Sequence, residues 1–102
     1  MIKSKKLAKL KNLKHGFFNS SGGKSKGIYQ SLNCGPGSKD LSVNIKKNLE
    51  VVKKKISNSA KNIFLLNQIH SNKLVYIDNN YKLTKKPKAD AVITNQKNLP
   101  IA

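Results

Sequence analysis

The chain has 102 residues, enough for one small domain with a thin core. Its formal charge is +17, from 21 basic residues against four acidic ones, and every basic residue is Lys. Without Arg it lacks the planar fork that reads phosphates and base edges in pairs. Lys and Asn are abundant together, as A/T-rich codons favour, so the charge reads as a solvated basic surface and argues against a nucleic-acid partner. A small basic module for RNA or DNA is the rival reading, and it rests on charge alone.

Residues 1–14, MIKSKKLAKLKNLK, form a basic lead-in to the first strand. Leu7, Leu10 and Leu13 allow one apolar side, but no continuous apolar core marks a secretory signal. No run in the chain approaches the roughly 20 apolar residues that span a bilayer, so no membrane partner is expected. Residues 15–37 carry most of the Gly and Ser, and SSGGKSKG reads as a turn-rich loop. A short half-apolar YQSLN and a second turn cluster, CGPGSKD, follow. The single Cys34 rules out an intrachain disulfide and suits a reducing, cytoplasmic location.

Asp40 or Ser42 can cap a helix whose apolar stripe is Ile45, Leu49, Val52 and Ile56, with Lys46, Lys47 and Lys54 facing away. IFLLNQIH, residues 63–70, reads as a buried strand running into His70. KLVYID, residues 73–78, alternates Leu74 and Tyr76 against Val75 and Ile77, as a half-buried strand does. NNYKLTKKPK is a polar connection containing Pro87. ADAVITN is a further strand, and LPIA opens another. Strands, one helix, then strands predict an α+β fold: a mixed sheet with a flanking helix.

Gly23-Lys24-Ser25 ends like a phosphate-binding P-loop, but that motif needs a first Gly at position 18, where Phe18 stands. Lys26-Gly27-Ile28-Tyr29 is also a poor start for the helix whose positive end such a loop uses.

A longer ordered set matches better. His15-Gly16-Phe17 is followed by the loop from Gly22 to Gly27 with Tyr29, and then by Ser31-Leu32-Asn33. Next come Asp40 with its helix, Gln68-Ile69-His70, and Ala89-Asp90-Ala91-Val92-Ile93-Thr94. In this order the set resembles the YfiH-like family, described as laccase-domain or multicopper polyphenol oxidoreductase proteins and as purine nucleoside phosphorylases. The resemblance covers the chain from His15 onward. It implies that residues 15–102 are the N-terminal portion of a larger α/β sandwich-like domain. In the family a Cys in an Ala-Asp-Cys block and a His in a His-Ala-Gly-Trp-Arg block complete the metal site begun by His70. Leu99-Pro100-Ile101-Ala102 would begin the strand leading to that Cys.

The resemblance further implies phosphorolysis of purine nucleosides (adenosine, inosine, guanosine, methylthioadenosine) with adenosine deaminase activity, the partners being a purine nucleoside and phosphate. A laccase-like oxidation of polyphenols is the alternative within the family. His70 would be the catalytic and metal residue, holding zinc or, alternatively, copper. Gly22, Gly23, Ser25, Asn33 and Asp90 would line the substrate, and the protein would be a monomer. The chain on its own is expected to be inactive. Two positions depart from the pattern: Ser20 stands where the family carries Arg, and Lys24 where an apolar residue is usual. Loss of the Arg removes a fixed cation, for which Lys24 or Lys26 can substitute as point charges.

Each residue also has a plainer reading. A His at the end of an apolar strand is commonly a hydrogen-bonded structural group, and His15 has no near-spaced ligand and reads as loop support. Cys34, in a Gly/Pro turn, reads as a partly buried thiol and not a nucleophile. Gly22, Gly23 and Gly27 can serve tight turns, Asn33 can close an Asx-type turn, and Asp90 can cap a turn or orient a ligand. The Lys runs at 53–55 and 85–88 read as solvated.

Overall fold

The computed structural model describes residues 1–82 and 85–102; Leu83 and Thr84, in the expected polar connection, lie outside the described residues. The fold is α+β, and the chain divides into two compact units, Met1–Asn58 and Ser59–Ala102.

In the first unit the N-terminal segment is part of the fold. Ile2 and Phe17 form an antiparallel bridge, each N–H donating to the other's carbonyl at 2.8 Å. A 3-10 turn at Leu7–Lys9 lies between them in sequence, and a second at Gly27–Tyr29 follows the Gly-rich loop. Helix α1, Ser42–Ile56, forms where the apolar stripe predicts it. Ile45 is buried, Leu49, Val52 and Ile56 are half-buried, and Lys46, Lys47 and Lys54 are exposed. The expected side-chain cap is absent: Leu41 occupies the N-cap position, and no side chain there accepts a helix amide. Asp40 is drawn elsewhere, because its carboxylate serves the loops that precede it. At the far end Lys53, Lys54 and Lys55 sit in the last turn, where the helix dipole favours positive charge.

In the second unit β1, Leu74–Ile77, and β2, Ala91–Thr94, form a parallel pair in the register Leu74↔Ala91 to Ile77↔Thr94. Parallel strands need a long connection, which residues 78–90 supply. Ile77 is fully buried and Val75 half-buried, whereas Leu74 and Tyr76 are exposed, as the alternation predicts. Thr94 Oγ1 donates to the Ile77 carbonyl at 2.7 Å and closes the end of the pair. The core of this unit is Ile77 with Ala60, Phe64 and Ala89, and the Phe64 and Tyr81 rings meet edge to face at 6.2 Å.

The strand expected over residues 63–70 is not continuous. Its two pairings are isolated parallel bridges to different partners, Phe64↔Ile101 and Asn67↔Lys88. A run of apolar residues demands burial, which Phe64 satisfies, but a ladder also requires one partner that stays in register. The strand expected at residues 99–102 likewise reduces to the Ile101 bridge, where Phe64 N donates to Pro100 O at 2.8 Å and Ala102 N to Phe64 O at 3.1 Å. The mixed sheet expected from sequence is, among the described residues, a parallel pair supplemented by these bridges.

Candidate functional site

The residues singled out by sequence fall into two hydrogen-bonded clusters, one in each unit. In the first unit the Gly-rich loop folds against Ser31. Ser25 N donates to Ser31 O at 2.9 Å, Gly23 N to Ser31 Oγ at 3.1 Å, and Ser31 N to Ser20 O at 2.9 Å. Gly23 has to be glycine, because a Cβ there would stand 2.0 Å from the Ser31 carbonyl oxygen and 2.5 Å from Leu32 Cα. Gly22 meets nothing within 4 Å, but its φ of +91° is a conformation that side chains disfavour.

Below this loop lies Asn48, fully buried on α1. Its Oδ1 accepts from Lys24 N at 2.7 Å, and its Nδ2 donates to Ser25 Oγ at 2.9 Å and to Asn33 O at 2.8 Å. Ser25, itself 3% exposed, donates from Oγ to Asp40 Oδ2 at 2.5 Å. Asn33 Nδ2 donates to the same oxygen at 3.1 Å and to Ser38 Oγ at 2.9 Å, while its Oδ1 accepts from Gly35 N at 3.1 Å. The Ser25 hydroxyl holds the Asp40 carboxyl below the usual carboxylate range, partial desolvation opposes this, and the Asn33 and Leu41 N–H groups reinforce it.

This geometry gives Ser25 and Asn33 a loop-locking role. The amides of Gly23, Lys24 and Ser25 are all used inside the unit and do not converge outward as an anion cradle. Charge toward solvent is left to the exposed side chains of Lys24 and Lys26. The sequence reading missed Asn48. Its signal was legible: three residues after Ile45 and next to Leu49, it is a polar side chain on the helix's inward face, where an unpartnered amide is costly. His15 is a loop support, as expected, its Nε2 accepting from Ser4 N at 2.8 Å. Burial pushes the Cys34 thiol up, away from the thiolate, which fits a passive side chain.

In the second unit the cluster is centred on Asp90. Oδ1 accepts from Ile69 N at 3.1 Å and His70 N at 2.8 Å; Oδ2 accepts from Ser71 N at 2.7 Å and Ser71 Oγ at 2.6 Å. The Ser71 hydroxyl leads in holding the Asp90 carboxyl below its ordinary range, against partial desolvation and with the three backbone N–H groups assisting. His70, with φ +56°, is exposed at the apex of this turn. Asp90 therefore lies beside the His70 backbone and accepts its N–H.

The described residues contain no group of three His, Cys, Asp or Glu placed to hold a metal ion. Among the described residues His70 offers a single donor, and a catalytic zinc takes three protein ligands. No helix among the described residues is long and apolar enough to cross a membrane.

Comparison with known proteins agrees with the motif order. A model of the family described as multi-copper polyphenol oxidoreductase laccase matches residues 14–102. The crystal structure of Neisseria meningitidis protein NMB0706, of the family DUF152, is similar with a TM-score of 0.63 and 31% sequence identity. The match covers 78% of this chain and 31% of that one, so the chain spans about a third of that protein's length. No curated protein matches.

Proposed function

The chain belongs to the multi-copper polyphenol oxidoreductase laccase family, and from that premise we propose that it forms part of an enzyme of purine nucleoside phosphorolysis, with adenosine deamination as a second activity. In phosphorolysis a phosphate oxygen bonds to the sugar's anomeric carbon. The bond from that carbon to the base breaks, its electron pair leaves with the base, and the base takes up a proton. The products are the free base and the pentose 1-phosphate.

The observation that carries the reading is the turn at residues 69–71, where Asp90 holds His70 at an exposed apex. His70 is the residue to which the family resemblance assigns the chemistry. In this proposal His70 contributes one metal donor, zinc being favoured over copper, and the remaining donors come from outside the residues described. A bound metal would supply Lewis acidity and an activated water. The chain's own contribution is to present the His70 imidazole to solvent from a turn that the Asp90 carboxylate holds.

The test is to incubate inosine and phosphate with the 102-residue chain and with a longer protein carrying it, and to measure hypoxanthine released. Release by the longer protein alone, abolished by His70→Ala, is expected. An undiminished rate in His70→Ala would overturn the assignment. The family's description favours a second reading, oxidation of polyphenols. Copper-dependent oxygen uptake with a diphenol, without phosphorolysis, would select it.

A further inference from the structure

We propose that Asp90 is a positioning residue for His70: it fixes the left-handed turn from which the imidazole is presented, and so controls what that ring can do. This rests on the reading of His70 as the functional side chain.

Three observations lead there. First, His70 lies in a conformation that crowds Cβ against the carbonyl, although His enters it more readily than most residues. Among the described residues no hydrogen bond holds its ring, so the backbone alone sets where the ring starts. Second, the three consecutive N–H groups of Ile69, His70 and Ser71 converge on one carboxylate, and the Ser71 hydroxyl adds a fourth donor. Successive amides directed at one anion are the arrangement that a left-handed residue within a turn produces. Here the anion is a side chain of the protein itself.

Third, Asp90 is held in place. Its own N–H and that of Ala91 both donate to Lys73 O, at 3.0 and 3.3 Å, and Ala91 opens β2 opposite Leu74 of β1. On the other side Ala89 N donates to Asn67 O at 3.2 Å and Asn67 N to Pro87 O at 3.0 Å. The carboxylate thus hangs from paired backbone on both flanks, and residues 69–73 wrap around it.

Four donors facing one side chain require an acceptor at every contact. Asp meets this demand. Asn does not, because its amide group would turn hydrogens toward hydrogens at one of the two oxygen positions. Asp90→Asn is therefore a nearly isosteric change that acts on the turn selectively.

The measurement is made by NMR on the isotope-labelled 102-residue chain. In Asp90→Asn the amides of residues 69–71 are expected to exchange at least about tenfold faster. The His70 ring signals should move toward those of a His in an unstructured peptide, with the β1 and β2 amides still protected. Ring signals unchanged in Asp90→Asn would overturn the proposal. If that variant fails to fold, Ser71→Ala, which removes one donor and leaves three, should shift the same ring signals by a smaller amount, and no shift there would also overturn it.

In a longer, active protein, Asp90→Asn should lower kcat with little change in KM. An active His70→Ala would defeat the functional reading while leaving the ring signals to decide the positioning. A dead His70→Ala beside an Asp90→Asn with wild-type kcat would defeat the positioning alone.

Discussion

At the scale of single residues, the first unit buries two polar side chains, Ser25 and Asn48, along with the apolar Ile45. Asn48 joins two loop segments to α1, Lys24-Ser25 through Lys24 N and Ser25 Oγ, and Asn33 through its carbonyl. Asn48→Ala would leave the Lys24 N–H, the Ser25 hydroxyl oxygen and the Asn33 carbonyl without this partner at a fully buried position, and is expected to cost about 3 kcal/mol in denaturant unfolding. Gly23→Ala is expected to cost about 3 kcal/mol for a different reason: the backbone at Ser31 and Leu32 must move to admit the methyl.

Asp40 gives a pH signature. Its carboxyl is held low in the folded chain, so its contribution is fully present above the unfolded-state value and disappears as pH falls through the lower folded-state value. The affected window lies below about pH 4. Asp40→Asn should flatten the acid limb of a stability–pH profile in that window, and an unchanged limb would exclude Asp40 as its source. These residues were unequally legible from sequence. Ser25, Asn33 and Asp90 stand out through a motif, but what they do depends on partners far along the chain: Ser25 on Asn48, and Asp90 on residues 69–71. Spacing in sequence carries no record of such meetings, so a loop lock and a substrate contact look alike until the fold is seen.

At the scale of elements, α1 and the two strands were readable because each carries its own periodicity. Ile45 and its stripe specify a helix face by themselves, and the alternation through residues 74–77 specifies a sheet face by itself. The segment at residues 63–70 was overread, since its apolar run reports burial, whereas its pairing is divided between Ile101 and Lys88. The inward and outward positions of β1 should differ sharply in energetic weight. Ile77→Ala removes a side chain with no exposure and is expected to cost about 3 kcal/mol. Tyr76→Thr, at a position half exposed and with strand propensity kept, is expected to stay within about 0.5 kcal/mol. Equal losses at the two positions in chemical denaturation would contradict the observed facing of the strand.

At the scale of the molecule, charge dominates. With +17 on 102 residues, most ammonium groups repel one another, and a near-pair such as Lys53–Glu50, at 2.7 Å, offsets little of this. Salt should therefore stabilise the protein. Raising ionic strength from about 0.01 to 0.15 M shortens the screening length from about 30 to 8 Å. The midpoint of thermal unfolding is expected to rise over that range by several degrees, and a fall would show that specific ion pairs outweigh the general repulsion.

The parallel pairing of β1 with β2 also has a temporal side. Leu74 meets Ala91 only after the whole intervening segment has been looped back, and none of the ladder's bonds forms until that closure is made. Helix α1 needs no such search, since its bonds join near neighbours. In pulse-labelling during refolding, α1 amides should gain protection before those of the strands. The turn carrying His70 is tied to the same late-closing strand through Asp90, so it would be among the last parts of the chain to take its working shape.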